Sequence, residues 1–194
     1  MSDWGVHLFE TALGRCGLAW SPRGITGAAL PEGDDAGLLR HLQRWSPGAA
    51  VTDILPPNVA EARDDIIALL AGEPRPLTQV VLDMAGIGEF EARVYAVART
   101  ILPGQVLTYG AVAERLGDRN LARAVGGALG RNPFVIIVPC HRVMAANGGT
   151  GGFSAPGGVA TKLALLAIEG ASLPAPAPKR PRAKAPEMPR LPFL

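Results

Sequence analysis

Cysteine and histidine are scarce in this chain, which has two Cys and three His among its 194 residues. Two widely separated cysteines do not make a disulfide framework, and they leave no Cys-rich zinc site. We therefore expect a reducing, cytoplasmic location and no bound metal. The N-terminal sequence MSDWGVHLFE has no basic region followed by an apolar stretch, so we expect no signal peptide.

Long apolar runs are also missing. No stretch approaches the roughly 20 apolar residues that a membrane-spanning helix needs, so we expect no membrane partner. Hydrophobic residues still make up 48% of the chain, which is enough for a substantial core. A chain of this length can form one large domain or two small ones.

Charge is divided unevenly along the chain, although the net value is only +2. Residues 1–78 carry a net −4, residues 79–173 carry +2, and residues 174–194 carry +4. The cations of the middle segment are almost all arginine, which is compatible with a small nucleic-acid contact but does not require one.

Sequence patterns divide the chain into three parts. Residues 1–78 predict a small α/β domain. Its predicted elements are strands at 6–12, 15–20 and 25–30, a helix opened by Asp34, and a helix over 59–70. The proline-rich GEPRPLT marks a boundary, and residues 79–173 predict a mainly helical domain. Residues 174–194, rich in Pro and Ala, predict a disordered basic tail that could add non-specific attraction to phosphate.

The stretch FVIIVPCHRV at residues 134–143 carries the strongest chemical signal. Its five leading apolar residues predict a short buried strand, which Pro139 ends because proline has no N–H for a ladder. Cys140 follows at once, and His141 and Arg142 beside it would favour the thiolate, which is the nucleophilic form. The pattern predicts a thiol aimed by a stiff, buried element.

Other interpretations of the cysteines stay open at this point. A cysteine after an apolar run is most often an inert core residue, and Cys16, in a predicted strand, fits that description. A metal site would need ligands at a spacing that Cys140 lacks. A cysteine hydrolase would need a histidine base, and Glu169, in the last turn of a helix predicted from residue 159, could fold inward to pair with His141.

Two short helices are predicted before this stretch. Thr108 can cap the first, Gly117 can close it, and Asn120 can cap the second. Such a pair is either a helix-turn-helix or a plain αα-hairpin in a core.

The outward face of the second helix favours the helix-turn-helix. Interior glycine costs a helix about 1 kcal/mol per position. Several glycines beside one arginine are therefore expected only where a large partner approaches closely, and DNA is such a partner. The residues opposite the apolar stripe are Arg123, Gly126, Gly127 and Gly130. Residues 145–158 add six glycines, which predict a flexible loop able to wrap a ligand near the thiol.

Together these motifs resemble the methylated-DNA–protein-cysteine methyltransferases, also called O6-alkylguanine-DNA alkyltransferases. PCHRV at 139–143 resembles the family's acceptor motif, and RAVGGAL at 123–129 resembles its recognition helix. Asn132-Pro133 lies between them, and LTYG and the closing LLAIEG also match. The resemblance is strong over residues 90–170, whereas the N-terminal part matches only in its strand pattern and its GLAW segment.

The resemblance implies a fold and a function. The fold would be an RNase H-like α/β (α+β) domain followed by a mainly helical domain with a helix-turn-helix. The function would be direct reversal of DNA damage: after base flipping, the alkyl group of O6-alkylguanine passes irreversibly to Cys140, once per molecule and without a cofactor. The implied partner is double-stranded DNA, bound through its minor groove by a monomer. Activity on O4-alkylthymine stays open.

The resemblance also implies catalytic roles. Cys140 would accept the alkyl group, and His141 would take the thiol proton through a water, with Glu169 polarising the histidine. Tyr109 would assist the departing guanine, and Asn132 would brace the recognition helix.

Further implied residues contact DNA or form the guanine pocket. Arg123 would enter the base stack in place of the flipped nucleotide. The other implied DNA contacts are Ala124, Gly126, Gly127, Thr108 and Arg131. The implied pocket residues are Val143, Met144, Phe153 and Ser154.

Two features depart from the family pattern. Phe153 stands where many members have tyrosine, and the loop SAPGG at 154–158 looks longer than in some members. The competing function is a DNA-binding protein that senses damage without transfer, and the presence of Cys140 argues against it because relatives that only bind have lost the cysteine.

Overall fold

The structure is a computed structural model, and it describes residues 4–146 and 148–172. The predicted basic tail lies outside the described residues. No helix within the described ranges is both long enough and apolar enough to cross a membrane.

A four-stranded sheet forms from the first part of the chain. Its strands are β1 (Gly5–Thr11), β2 (Gly14–Ser21), β3 (Gly24–Ala29) and β4 (Ala50–Val51), in the order β3-β2-β1-β4. The first three pair antiparallel, whereas β4 pairs parallel with β1. The three strands predicted from the sequence are confirmed to within one residue at each end.

Helices cover both faces of this sheet, because side chains along each strand alternate between the two faces. The helices are α1 (Asp35–Gln43) and α2 (Pro57–Leu70). α1 packs on the face that carries Val6 and Ala19, and α2 packs on the face that carries Leu18 and Trp20. The Asp34 carboxylate opens α1 as predicted, by accepting from a backbone N–H of its first turn.

The remaining described residues form a mainly helical part. Its elements are α3 (Glu89–Arg99), β5 (Leu107–Thr108), α4 (Tyr109–Arg115), α5 (Ala122–Gly130), β6 (Val143–Met144) and α6 (Gly158–Ile168), with single 3-10 turns at Arg119–Leu121 and Cys140–Arg142. β5 and β6 pair in parallel. One continuous core runs from Phe9 and Trp20 through Val94 and Val125 to Leu165, so the helical part is packed directly against the sheet.

The strand predicted over residues 134–138 is wrong. Phe134 makes an isolated bridge with Ala28 of β3, and the chain then turns, so that the Val138 N–H bonds to the Phe134 carbonyl at 2.8 Å. Side-chain hydrogen bonds from Asn132 reach both Phe134 and Val138 and draw the two ends together. A buried turn satisfies an apolar run as well as a strand does, so composition could not separate the two.

The link between α4 and α5 also differs from the prediction. Thr108 caps α4 as predicted, accepting from the Ala111 N–H at 3.0 Å, and Gly117 follows the helix with a φ of 104°. Asn120 does not cap α5. Instead the Asp118 carboxylate accepts the Asn120 N–H at 2.9 Å and opens a 3-10 turn that leads straight into α5. α5 therefore begins without a side-chain cap.

Candidate active site

Cys140 is carried on a tight turn that follows the buried segment. Its N–H bonds to the Val138 carbonyl at 2.8 Å around Pro139, whose φ of −80° and ψ of 67° define an inverse γ-turn. The Arg142 N–H then bonds to the Pro139 carbonyl at 2.9 Å. These bonds fix the backbone on both sides of the thiol, so a turn supplies the rigid support that the sequence had assigned to a strand.

The thiol lines a cavity of about 750 Å³ enclosed by α4, α5 and the glycine-rich loop at 145–158. Cys140 is only 6% exposed. Other residues around the cavity include Tyr109, Arg123, Gly126, Phe153 and Ser154. The volume lies in the range of small-molecule sites.

Behind the thiol lies a buried ionic cluster of His141, Arg142 and Glu169. Nε2 of His141 lies 2.9 Å from Oε1 of Glu169, and Nη2 of Arg142 donates to the same oxygen at 2.8 Å. Nε of Arg142 donates to Oε2 of Glu169 at 2.9 Å, and its Nη1 donates to the Ile101 carbonyl at 2.6 Å. The three side chains are at most 2% exposed. The inward turn of Glu169, directly after α6, confirms the sequence expectation.

This cluster sets the protonation state of His141. Burial alone would raise the pKa of Glu169, but hydrogen bonds from His141 and Arg142 lower it to about 2. Burial lowers the pKa of His141, so the imidazole is neutral at physiological pH. Because an ionised carboxylate faces Nε2, the ring proton lies there and is donated to Glu169. Nδ1 is left as the basic nitrogen, buried and with no hydrogen-bond partner among the described residues.

The thiol itself is protonated at rest. Burial raises the pKa of Cys140, while a hydrogen bond from Asn132 and the charge of Lys162 oppose that rise. The expectation that His141 and Arg142 favour the thiolate is wrong, because both side chains turn to Glu169. The groups that help the thiolate are the Asn132 side chain, the charge of Lys162 and the backbone N–H groups of Cys140 and His141.

Lys162 is the site residue that the sequence reasoning missed. It is fully buried on α6, where its Nζ donates to the Val143 carbonyl at 2.6 Å and lies 5.9 Å from the centroid of the Tyr109 ring. Burial lowers the pKa of Lys162 to about 8, against the opposing attraction of Cys140. A single lysine inside the apolar stretch VATKLALLAI was a usable signal, because lysine is rarely buried without a partner.

Tyr109 opens α4 and forms one wall of the cavity. Its hydroxyl donates to the Gly152 carbonyl at 3.4 Å. Burial raises the pKa of Tyr109, with a further rise from Cys140, so the phenol keeps its proton and can donate it in a hydrogen bond. Gly151, with a φ of 67°, lets the loop close over the ring, since a Cβ there would lie 2.7 Å from Cε2 of Tyr109.

Asn132 ties the end of α5 to the acceptor turn. Its Nδ2 donates to the Val138 carbonyl at 2.9 Å, and its Oδ1 accepts the Phe134 N–H at 2.9 Å. The side chain is buried, and it also hydrogen-bonds to Cys140. One amide thus shapes the turn and stabilises the thiolate.

The outward face of α5 is open to solvent beside the cavity. Arg123, Ala124 and Gly127 are exposed, and Arg123 also lines the cavity. Gly126 is half-buried, and a Cβ there would lie 3.8 Å from the Tyr109 ring. An exposed arginine beside small residues leaves room for a backbone to approach the helix.

Two other predicted DNA contacts have partners within the protein. The Thr108 hydroxyl is engaged as the cap of α4. The Arg131 guanidinium pairs with Glu91 of α3, which lowers the pKa of that carboxyl.

The four predicted pocket residues separate into two pairs. Phe153 and Ser154 line the cavity. Val143 and Met144 are buried in β6 and do not line it. Within residues 4–146 and 148–172, no group of three or more His, Cys, Asp or Glu side chains is placed to hold a metal ion.

Known proteins resemble this chain in both sequence and fold. A sequence model of the DNA-binding domain of 6-O-methylguanine DNA methyltransferase matches residues 89–171. The methylated-DNA–protein-cysteine methyltransferase of Methanothermobacter thermautotrophicus is 37% identical over 157 residues, which cover 81% of this chain and 80% of that protein.

Solved structures match over most of the chain. The crystal structure of Mycobacterium tuberculosis OGT in complex with DNA has a TM-score of 0.69 and 32% identity, covering 88% of this chain and 96% of that chain. The crystal structure of the O6-methylguanine-DNA methyltransferase of Pyrococcus kodakaraensis has a TM-score of 0.63 and 28% identity. The match covers 85% of this chain and 99% of that chain.

The fold and the site therefore define a protein of direct DNA repair, mixed α/β with a helical part, in which an enclosed cysteine faces an open cavity. More particularly, the chain belongs to the methylated-DNA–protein-cysteine methyltransferase family.

Proposed function

We propose that this protein reverses alkylation damage in DNA by moving the alkyl group from guanine O6 to Sγ of Cys140 in one displacement. The observation that carries this assignment is the position of Cys140, which lines a cavity large enough to hold a base, with the His141–Glu169 pair directly behind it. A nucleophile, a base and a group that orients the base are thereby present in the order that thiol chemistry requires.

Proton transfer comes first. The Cys140 proton passes to Nδ1 of His141, through the bridging water that the family resemblance implies. Glu169 then faces an imidazolium, which its ionised carboxylate stabilises in the buried cluster. Asn132 and Lys162 stabilise the thiolate while the proton is away.

Alkyl transfer follows. The thiolate attacks the alkyl carbon, the S–C bond forms as the C–O6 bond breaks, and guanine leaves once it takes up a proton. Tyr109 would hydrogen-bond the departing base, a role supported by its position in the cavity wall and by a raised pKa that keeps its hydroxyl protonated. The product is a thioether, which water does not cleave, so each molecule acts once.

DNA is the partner, and α4 and α5 would bind it as a helix-turn-helix. The exposed Arg123, Ala124 and Gly127 lie on the face that would enter the minor groove. The reacting atom is inaccessible inside a duplex, so the O6-alkylguanine must flip into the cavity, at a cost of a few kcal/mol. Arg123 would fill the gap that the base leaves, a role supported by its position at the cavity. We assign a monomer as the active form.

We also propose a fold for the N-terminal domain and bounds for the domain that carries the site. Three antiparallel strands followed by a strand parallel to β1, with helices on both faces, support an RNase H-like N-terminal domain over residues 1–78. The site-bearing domain is then residues 79–173.

Intact-protein mass spectrometry after incubation with a duplex that carries O6-methylguanine tests the reaction. We expect one methyl group per chain, located on Cys140 by peptide mapping, with no further turnover. A chain that stays unmodified while it binds the duplex would overturn the proposal and leave a damage-sensing protein.

A further inference from the structure

A second cavity, which shares no lining residue with the cavity at the thiol, lies at the β4 edge of the sheet. It has a volume of about 760 Å³ and is lined by residues 20–22, 50–52 and 54–59, from the end of β2 through β4 to the start of α2. Its walls include Pro22, Pro56 and Pro57, with Trp20, only 1% exposed, beneath them, so the accessible surface is rich in proline. We call this cavity the edge groove.

Apolar side chains of the edge groove face solvent. Ile54 is 74% exposed, the highest value for any large apolar side chain among the described residues, and Val51 is 56% exposed. β4 ends the strand order, pairing with β1 on one side only within the described part of the chain. An exposed apolar patch on a sheet edge is a common sign of a partner surface.

The tail has a sequence suited to this surface. Residues 173–194 lie outside the described residues and end in PRLPFL, which places apolar residues after a long stretch of proline, alanine and basic residues. Proline-rich segments bind apolar, aromatic-lined grooves at low entropic cost, because their extended backbone is already preformed.

Length and position allow the contact within one chain. The described chain stops just after α6, where the Ile168 carbonyl lies 3.8 Å from a Cβ placed on Gly72, directly beyond the end of α2. The edge groove lies at the other end of α2. A 14-residue helix is about 21 Å long, whereas 18 residues of extended proline-rich chain reach roughly 55 Å.

Charge complements this route. Residues 174–194 carry a net +4. The exposed carboxylates beside the groove and along α2 are Asp53, Glu61 and Asp64. Asp64 also pairs with Arg63, and Asp53 lies 3.3 Å from His7, so Glu61 is the carboxylate with the most accessible charge. A basic segment that follows α2 from its end to its start would pass these acidic groups.

We propose that the C-terminal residues 189–194 of this chain dock in its own edge groove, with the basic residues before them lying along the acidic side of α2. This contact is independent of alkyl transfer. It also places the basic tail on the N-terminal domain rather than on the DNA.

Photo-crosslinking of the full chain tests this docking. p-Benzoylphenylalanine at position 193 is expected to cross-link within one chain to residues 50–59, as read by peptide mass spectrometry on the monomer band. Cross-links to residues scattered over the surface would overturn the proposal. A dimer band would assign the groove to a second copy, and capture of added duplex would assign the tail to DNA, so either result also overturns it.

A matched pair of variants makes the test specific. Ile54→Ser should reduce the intramolecular cross-link at least fivefold, whereas Leu102→Ser, at a side chain 46% exposed outside the groove, should leave it unchanged. An equal yield in both variants would overturn the proposal. Both should keep their unfolding midpoint and their methyl transfer, so failure of the docking is distinguishable from failure of the repair reaction.

Salt gives a second readout. Glu61→Lys with Asp64→Lys should also lower the cross-link, and added salt should do the same, since exposed charges are screened within about 10 Å at 0.1 M. If neither the two substitutions nor added salt changes the cross-link yield, the proposal that the basic residues lie along α2 is overturned.

Discussion

The two cysteines occupy two buried environments that look alike by exposure and differ in chemistry. Cys16 in β2 is 1% exposed and Cys140 is 6% exposed. Burial raises the pKa of both thiols, that of Cys16 to about 11. For Cys16, only a hydrogen bond with Thr11 opposes the rise, while the charge of Glu10 adds to it.

The difference lies in what surrounds each sulfur. Cys140 lines a cavity beside the exposed face of α5, and Asn132 and Lys162 act to lower its pKa. Cys16 packs inside the shared core and lines none of the four cavities described in the structure. Burial therefore does not separate an inert thiol from an acceptor thiol. An acceptor thiol differs from an inert one in its access to the substrate and in the groups that stabilise its thiolate.

The largest expected effect comes from replacing each of the two cysteines by alanine in turn. Cys140→Ala should abolish methyl transfer while the protein still binds duplex DNA. Cys16→Ala should keep transfer within about twofold and lower stability by about 1 kcal/mol, which is typical of a small buried truncation. Mass spectrometry and urea unfolding measure the two quantities. Residual methyl uptake by Cys140→Ala would show that another residue accepts the group.

Glu169→Gln should give the next largest effect. Without the carboxylate, His141 loses the group that fixes its ring proton on Nε2, and transfer should slow by about 10²-fold, within the range for general base catalysis. The buried Arg142 loses its counter-charge, so unfolding should also become easier by about 3 kcal/mol. Glu91→Gln is the matched control, because its partner Arg131 is 64% exposed and such pairs contribute about 1 kcal/mol or less.

Acid unfolding of the same variant gives a second test. Hydrogen bonds lower the folded-state pKa of Glu169 from 4.5 to about 2. A lowered carboxylate pKa adds stability that is fully present above the unfolded value and is lost as the pH falls through the folded value. The parent protein should therefore lose stability from about pH 4.5 down to about pH 2, and Glu169→Gln should show a smaller loss there. Parallel curves would contradict the assignment.

Arg123→Ala should separate access from reactivity. Losing the side chain that fills the stack is expected to slow repair of duplex DNA by roughly 30-fold, equivalent to about 2 kcal/mol of the flipping cost. The rate with free O6-benzylguanine should change by less than about twofold, because the free base needs no flipping. Equal losses on both substrates would contradict the intercalating role.

Lys162→Met should have the smallest effect and the most informative pH profile. Removing a positive charge near Sγ destabilises the thiolate, so the pKa of Cys140 should rise and transfer near pH 7 should slow by about tenfold, or about 1.4 kcal/mol. The deficit should shrink as the pH increases. A deficit that is constant with pH would mean that Lys162 acts only by packing against Val143 and Tyr109.

Local features of the site were predictable because neighbouring residues encode them. The Thr108 cap, the stop at Gly117 and the glycine-bearing face of α5 all follow from backbone requirements within one or two turns of helix. The acceptor motif could be recognised for the same reason. The backbone conformation that precedes this motif could not be predicted, because FVIIV is apolar throughout and a strand and a turn bury it equally well.

The sequence by itself determined the mixed α/β class, the first three strands and the motif around Cys140, since periodicity and short motifs are local properties. Tertiary structure alone decided the state of that cysteine. Lys162 and Glu169 are distant from Cys140 in the chain, and together with Asn132 they surround Cys140 and His141 only after α5, the acceptor turn and α6 pack on one core. A pKa depends on burial and on charges within a few ångströms, and only the folded chain brings these together.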